Sequence, residues 1–308
     1  MIKSVMNYIE AKKSRLSYYQ KIPLYYQTQG NKFVLYKPPG QTIEEVRLKK
    51  ERVPDKLFIK HEDKVRSIQV IQKVFNRQLS EDVRSNNPEK VKETLVNIVQ
   101  ETLAEPRSGS LEGVSETVNI LVGEYTKETD VIRNLLIVSQ QDYSTAIHSI
   151  NVMALVLGYA TFIDCSLNEK KILGLSALLH DVGKTKIDTS LLTAPRKLTD
   201  EEFNEIKQHT VRGYDILNKC NFGYKDIALT ALQHHEKLDG SGYPHGITHI
   251  KENAQIIGFI DCYEALTNDD RPYRNAMSPF KTMELMKRDV ESEKFSRELF
   301  EKFAYSLL

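Results

Sequence analysis

The chain has 308 residues, of which 40% are hydrophobic and 28% are charged, and its formal net charge is +1 at neutral pH. This length suffices for two domains with a sizeable core, and such a balanced charge is not typical of a protein that binds a nucleic-acid polymer. The three cysteines are widely spaced, which excludes a zinc knuckle and a disulfide framework. The sequence contains no run of about 18 apolar residues, so no membrane span is predicted. A cytoplasmic protein is therefore expected.

Residues 1–62 are predicted to form a small α/β module with a sensory or regulatory role. After a short helix over residues 1–20, the stretches IPLYY and FVLYK are typical of strands, and Gly30-Asn31 between them suits a tight hairpin turn. TIEEVRLKKE is typical of a helix and KLFIK of a further strand. Residues 1–60 hold 13 Lys/Arg against 5 Asp/Glu, which suits an anionic ligand or a protein partner, with a solvated surface as the alternative.

Residues 63–130 are predicted to form a helical connector, and residues 131–308 an all-helical domain. In this last part TDEEFNEI opens with Thr199 and has Glu202 three residues later, which is a capping box. The fold class is therefore predicted to be mainly α, with an all-α C-terminal domain and a small α/β module at the N-terminus. Because the module offers no catalytic constellation, a chain that begins near residue 125 is expected to keep the functional site.

The histidines cluster in the C-terminal part of the chain, where seven of the eight lie between residues 148 and 249. A lone histidine on an apolar helix face is usually a core residue with one hydrogen-bonded nitrogen, and that alternative suits His209 taken alone. Buried carboxylates without a partner are costly, however. The His and Asp residues that lie on or beside apolar helical stretches are His148, His180, Asp181, His209, His234, His235 and Asp261.

Seven inward-directed groups from separate helices indicate a shared divalent cation. Ligation by nitrogen and oxygen without thiolate favours Fe, Mn, Zn or a similar metal. Seven ligands are too many for one tetrahedral site, and they suit two metals about 3.5–4 Å apart, as in two-metal phosphoester hydrolases. The sequence therefore predicts a dinuclear His/Asp centre.

Three motifs carry a resemblance to a known family. HDVGK at 180–184, HHEKLDGSGYP at 234–244 and RPYR at 271–274 resemble the HD-GYP family, a branch of the HD metal-dependent phosphohydrolases. The resemblance covers roughly residues 135–300 and leaves the N-terminal half uncovered. It implies an all-α HD fold and the hydrolysis of cyclic di-GMP, a bacterial second messenger.

The resemblance also implies how the metals would be held. One metal would be bound by His148, His180, Asp181 and Asp261, and Asp181 would bridge to a second metal bound by His209, His234 and His235. Iron is the first candidate for the two divalent ions, and manganese or another metal is the alternative. A bridging hydroxide would be the nucleophile. Some family members carry a glutamate that helps to hold a third metal where this chain has Ser144, so two metals are expected here.

Four further residues are candidates for contacts with the substrate. Lys184, three residues after Asp181, would neutralise a phosphate oxygen in the transition state. Tyr243 in the Gly/Pro loop would stack on a base or bond a phosphate, and an ordinary turn after a helix is the alternative for that loop. Arg271 and Arg274 would recognise phosphate or guanine through their guanidinium groups. The stretch between Asp261 and Arg271 is one residue longer than is usual in the family, which shifts the register of both arginines.

Three functions follow from these features. The first is a cyclic di-GMP phosphodiesterase controlled by its N-terminal module. The second is an HD-GYP-like signalling module with weak or no activity, which binds the dinucleotide or a partner protein through that module or the GYP loop. The third, an HD phosphohydrolase for another nucleotide, is disfavoured by the GYP loop. The full ligand set and Lys184 favour the enzyme, because a scaffold has no need of a cation on the phosphate side.

Overall fold

A computed structural model describes residues 7–11, 13–49, 54–85, 88–104, 110–125, 145–194, 196–219, 225–268 and 276–307. A small antiparallel sheet at the N-terminus is followed by a large helical body, which confirms the predicted fold class. The strands are β1 Tyr8–Glu10, β2 Leu24–Gln27, β3 Phe33–Lys37 and β4 Phe58–Lys60. The helices are α1 Ile43–Lys49, α2 Lys64–Arg84, α3 Pro88–Ala104, α4 Ser110–Tyr125, α5 Thr145–Phe162, α6 Leu167–Leu179, α7 Thr189–Leu192, α8 Asp200–Lys207, α9 His209–Lys219, α10 Lys225–Gln233, α11 Glu252–Thr267, α12 Pro279–Glu291 and α13 Arg297–Ser306.

The sheet has the strand order β1-β4-β2-β3. The predicted hairpin is present as β2 and β3, and Asn31 in its turn has φ of 56°, a left-handed conformation that asparagine tolerates. The prediction of a short helix over residues 1–20 is wrong. Residues 8–10 form β1, in which Tyr8 pairs with Lys60 of β4, and a 3₁₀ helix follows over Lys13–Tyr18.

The helical body has one continuous hydrophobic core. Its buried residues extend from Leu79 on α2, through Val118 on α4, to Phe303 on α13. The sheet module has a separate cluster to which Ile71 on α2 belongs, and Phe75, one turn along the same helix, packs against both clusters. Helices α2, α3 and α4 are therefore part of the core that supports the C-terminal helices. The domain limits at residues 62 and 130 remain predictions.

Helix α5 passes through the middle of this core. It is the one helix in the described part of the chain that is long and apolar enough to cross a membrane, but most of it is buried inside the protein, as in the central helix of a bundle. Fourteen of its 18 residues are buried, among them His148. Such a helix is hydrophobic on all sides because it packs against neighbours on all sides.

Two glycines allow backbones to meet where the predicted ligands lie. A Cβ on Gly183, which follows α6, would lie 1.8 Å from the carbonyl oxygen of His209. A Cβ on Gly258, in α11, would lie 1.9 Å from the carbonyl oxygen of His234. Both distances are far inside van der Waals contact, so only glycine permits these approaches.

We expect Gly258→Ala to lower the free energy of unfolding by at least about 1–3 kcal/mol, because its methyl group must push α10 away from α11. Gly158→Ala is the matched control. Gly158 also lies inside a helix, but a Cβ there has nothing within 4 Å, so the change should be neutral or stabilise by up to about 1 kcal/mol. Urea unfolding measures both. Equal unfolding free energies for the two variants would contradict the close approach.

The shared core also changes the expectation for truncated chains. A chain that begins at residue 126 would lack Leu79, Val118 and the other core residues of α2–α4, so we expect it to be unstable. A chain that begins at residue 64 keeps them and should unfold cooperatively. Circular dichroism during thermal unfolding separates these cases. A shorter chain that unfolds as cooperatively as the longer one would show that α2–α4 are dispensable.

Candidate metal centre

All seven predicted ligands lie together at the ends and inner faces of five helices. His148 comes from α5 and Asp261 from α11, whereas the other five lie where α6, α8 and α10 end. Six of the seven are buried, and His235 is half-buried. Their ligand atoms form groups whose members lie within 4.8 Å of one another. The groups are His148, His180 and Asp181; His209, His234 and His235; and His180, His234 and Asp261.

Asp181 lies between two sets of imidazoles and directs a different oxygen at each. Its Oδ2 is 3.6 Å from His148 Nε2 and 3.4 Å from His180 Nε2. Its Oδ1 is 3.3 Å from His209 Nε2 and 3.9 Å from His234 Nε2. A carboxylate placed in this way has the arrangement required of a ligand shared by two cations.

The imidazoles have the tautomer that metal binding needs. The Nδ1 atoms of His180, His209 and His234 lie 2.6, 2.7 and 3.0 Å from the backbone carbonyl oxygens of Ala177, Ile206 and Ala231. A carbonyl oxygen can only accept a hydrogen bond, so each Nδ1 carries the proton and each Nε2 presents a lone pair. These lone pairs point towards Asp181 and towards one another, with 3.4 Å between His209 Nε2 and His234 Nε2.

Two buried atoms of the centre, His180 Nε2 and Asp181 Oδ1, have no hydrogen-bond partner among the described residues. Such atoms are costly to bury and are rare in folded proteins. Ligands bound at about 2.0–2.2 Å from a divalent ion lie about 3–4 Å from each other, which is the range of the separations around Asp181. The centre therefore fits divalent cations coordinated by nitrogen and oxygen.

Burial and charge set the protonation states. Burial lowers the pKa of His209 to about 4 and that of His234 to about 3, and it holds the pKa of His235 well below its ordinary value. Burial alone would raise the pKa of Asp181, but the charges of Lys184 and His180 outweigh it and hold that pKa well below the usual range. At neutral pH His209, His234 and His235 are thus neutral and the carboxylate is ionised, which are the forms that bind metals.

Lys184 contacts the bridging carboxylate directly. The chain leaves α6 at Leu179 and continues as a 3₁₀ helix over Val182–Lys186. Residues three apart are aligned on a 3₁₀ helix, so Lys184 still lies above Asp181, with 2.5 Å between Nζ and Oδ2. Its side chain is 21% exposed, so solvent reaches part of it.

Tyr243 lies against the centre. Its ring stacks on that of His235, with 4.6 Å between centroids, and burial raises the pKa of its hydroxyl, so the phenol stays protonated. Glu236 holds the loop that carries Tyr243, because its carboxylate accepts the backbone N–H groups of His245 and Ile247 at 2.8 and 3.2 Å. Three other residues considered in the sequence, Ser144, Arg271 and Arg274, lie outside the described part of the chain.

Glu264 is a site residue that the sequence reasoning missed. It lies three residues after Asp261 on α11, is 3% exposed, and its Oε2 is 2.5 Å from His148 Nδ1. Its Oε1 accepts the side-chain amides of Asn151 and Asn268, each at 2.8 Å. An acidic residue in the apolar stretch IIGFIDCYEAL, one turn from a predicted ligand, was the available signal. Glu264 orients His148 as the helix carbonyls orient the other rings.

Comparisons with known proteins agree with this centre. The family model described as HD domain matches residues 130–299. The cyclic di-GMP phosphodiesterase PA4108 of Pseudomonas aeruginosa is 30% identical over 174 residues, which are 56% of this chain and 42% of that protein. The 3′3′-cGAMP-specific phosphodiesterase 1 of Vibrio cholerae is 32% identical over 167 residues, 54% of this chain and 38% of that protein. The chain thus spans about two fifths of the length of these relatives.

The whole fold also has a solved counterpart. The structure of Bd1817, described as an HDG"Y"P protein from Bdellovibrio bacteriovorus, aligns with a TM-score of 0.66 over 98% of this chain and 99% of that one. Sequence identity is 17%, so the likeness concerns the fold alone. It includes the N-terminal sheet as well as the helical body.

We expect Glu264→Gln to weaken metal binding by about 10–100-fold, because an amide holds the His148 ring less firmly than a carboxylate does. Glu252→Gln, at the exposed start of the same helix, is the matched control and should bind metal normally. Titration of metal-stripped protein with Mn²⁺ measures both affinities. Equal affinities would show that Glu264 does not orient a ligand.

Proposed function

The chain belongs to the HD domain family, and from this membership we propose that it is a metal-dependent phosphodiesterase that hydrolyses cyclic di-GMP. One observation carries the proposal: the two oxygens of buried Asp181 face different histidines. A structural role would not require this, since a buried carboxylate is satisfied by one cation or by hydrogen bonds. The names of the relatives support the substrate class.

In this proposal the protein binds two divalent ions. Iron is the first candidate for both, and manganese or another metal is the alternative. One would be held by His148, His180, Asp181 and Asp261, and the other by Asp181, His209, His234 and His235. When bound, the metals would lower the pKa of a shared water towards neutrality and offset negative charge on the phosphate. The protein holds three of the imidazoles in orientation through hydrogen bonds from Nδ1 to helix carbonyls.

The chain's own groups would then act on the phosphodiester. Lys184, partly exposed beside Asp181, is placed to donate to a non-bridging phosphate oxygen and to offset the charge that grows there. The phenol of Tyr243 stays protonated and can only donate to an anionic oxygen. Its ring also covers His235, which keeps bulk water from that side of the centre and strengthens the electrostatic interactions inside it.

The proposal is tested by incubating metal-loaded protein with cyclic di-GMP, 3′3′-cGAMP, linear diguanylate and 3′,5′-cyclic GMP, and by separating the products. We expect hydrolysis of a cyclic dinucleotide and none of 3′,5′-cyclic GMP. The inclusion of 3′3′-cGAMP is needed because that substrate appears in the name of a relative. Binding of cyclic di-GMP without any product, in protein with full metal content, would favour the signalling module instead.

We expect Lys184→Met to keep its metals but to hydrolyse about 10²–10³-fold more slowly, because a single donor to developing charge contributes about that much. Lys186→Met is the matched control, since Lys186 is exposed and two residues away. Asp181→Asn should lose both metal and turnover. Metal analysis together with kcat separates the roles. Loss of metal in Lys184→Met, or full turnover, would contradict the role given to Lys184.

A further inference from the structure

Phe203 presents an exposed aromatic ring at the edge of the centre. It lies on α8 and is 45% exposed. Its ring is 6.4 Å from that of Tyr243, edge to face, and Tyr243 in turn lies 6.5 Å from His209. Two other phenylalanines of the described residues are exposed, Phe162 and Phe280, and neither has a ring contact with the centre.

Lys207 adds a positive charge beside this ring. It follows Phe203 by four residues, which places both on one face of α8. Its Nζ lies 4.8 Å from the centroid of Phe203 and 5.6 Å from that of Tyr243, and it donates to Asn204 Oδ1 at 3.2 Å. No carboxylate of the described residues forms an ion pair with it, so its charge is available to an anion.

Helix α8 holds this pair rigidly. Its first turn is closed by a capping box between Thr199 and Glu202, and Arg196 contacts both carboxylate oxygens of Glu202 at 2.7 and 2.6 Å. Its last turn supplies the Ile206 carbonyl that orients His209. Because the same short helix positions a predicted ligand and carries the exposed ring, the ring has a fixed distance from the centre.

Tyr243 is less suited to stack on a base than the sequence suggests. One face of its ring lies against His235, and the residue is half-buried. Phe203 has no stacked neighbour among the described residues and much more exposed surface. The ring available to a planar ligand is therefore Phe203.

We propose that Phe203 and Lys207 form a substrate subsite in which the Phe203 ring stacks on a purine base and the Lys207 ammonium contacts a phosphate of the same cyclic dinucleotide. This inference rests on the proposed function. A cyclic dinucleotide is larger than the metal centre, so a base must extend past its rim when a phosphodiester lies at the metals. Stacking is possible on any purine, which is compatible with either cyclic di-GMP or 3′3′-cGAMP.

The test compares binding and turnover in the full chain. Equilibrium binding of cyclic di-GMP to metal-stripped protein is measured by calorimetry, and KM and kcat are measured on the metal-loaded protein. We expect Phe203→Ala to weaken binding or to raise KM by about 5–100-fold, the range seen for loss of one base–aromatic stack. Phe203→Leu should behave similarly, whereas Phe203→Tyr should retain the affinity. This pattern distinguishes stacking from simple apolar packing.

Lys207→Met tests the charge separately. It should weaken binding by about 3–30-fold at low salt, with a smaller difference at high salt because exposed charges are screened. Phe280→Ala, at a ring 72% exposed on α12, and Lys219→Met, at the far end of α9, are the matched controls and should leave both constants unchanged.

The outcomes separate this subsite from the proposed function. If the natural chain hydrolyses cyclic di-GMP and the Phe203→Ala variant has the same Kd and KM, the proposed subsite is rejected and the proposed phosphodiesterase function is retained. Equal losses in Phe203→Ala and Phe203→Tyr would also overturn stacking. If the natural chain neither binds nor hydrolyses cyclic di-GMP or 3′3′-cGAMP, the function and the subsite are both wrong.

Discussion

The buried carboxylate of Asp181 is the constraint on which the rest of the centre depends. Removal of such a group from water costs several kcal/mol unless positive charge compensates it. Among the described residues Lys184 lies on one oxygen, and imidazoles surround both oxygens. The Nε2 lone pairs of the neutral rings of His209 and His234 would repel the carboxylate unless cations lie between them. The helices that converge on Asp181 make a place that suits divalent cations.

The C-terminal ends of three helices orient three of the histidine rings. The last carbonyl groups of an α-helix lack intrahelical partners. His180, His209 and His234 each follow the last turn of a helix, and each Nδ1 donates to a carbonyl three residues earlier. One hydrogen bond thus satisfies a helix terminus and fixes a tautomer. His148 lies in the first part of α5, where carbonyls are already used, and Glu264 from α11 takes their place.

The sequence predicted which side chains lie together in the candidate centre better than it predicted their surroundings. The cluster could be found because histidine and aspartate beside Leu178, Leu179 or Ile260 are chemically out of place, and local context is enough to show it; that its members bind metal stays a prediction. The partner of His148 was missed because Glu264 meets it across 116 residues. The strand β1 was missed for the same reason, since its pairing with Lys60 is non-local. Residues 63–130 were predicted to be helical, but a helix prediction does not tell which core the helix faces.

Helix α2 connects the sheet module to the centre through packed side chains. Ile71 belongs to the core of the module, Leu79 to that of the helical body, and Phe75 contacts both. A movement of the module that displaced α2 would therefore act on α3 and α4, which pack on α5 and α6, the helices that carry or precede His148 and His180. These contacts form a continuous path between the module and the centre. Coupling between the two is a separate quantity, the free energy by which a change at one site alters the other. The same contacts make α2–α4 a structural part of the helical body, because a chain without them would lose one wall of the core in which the predicted ligands are held.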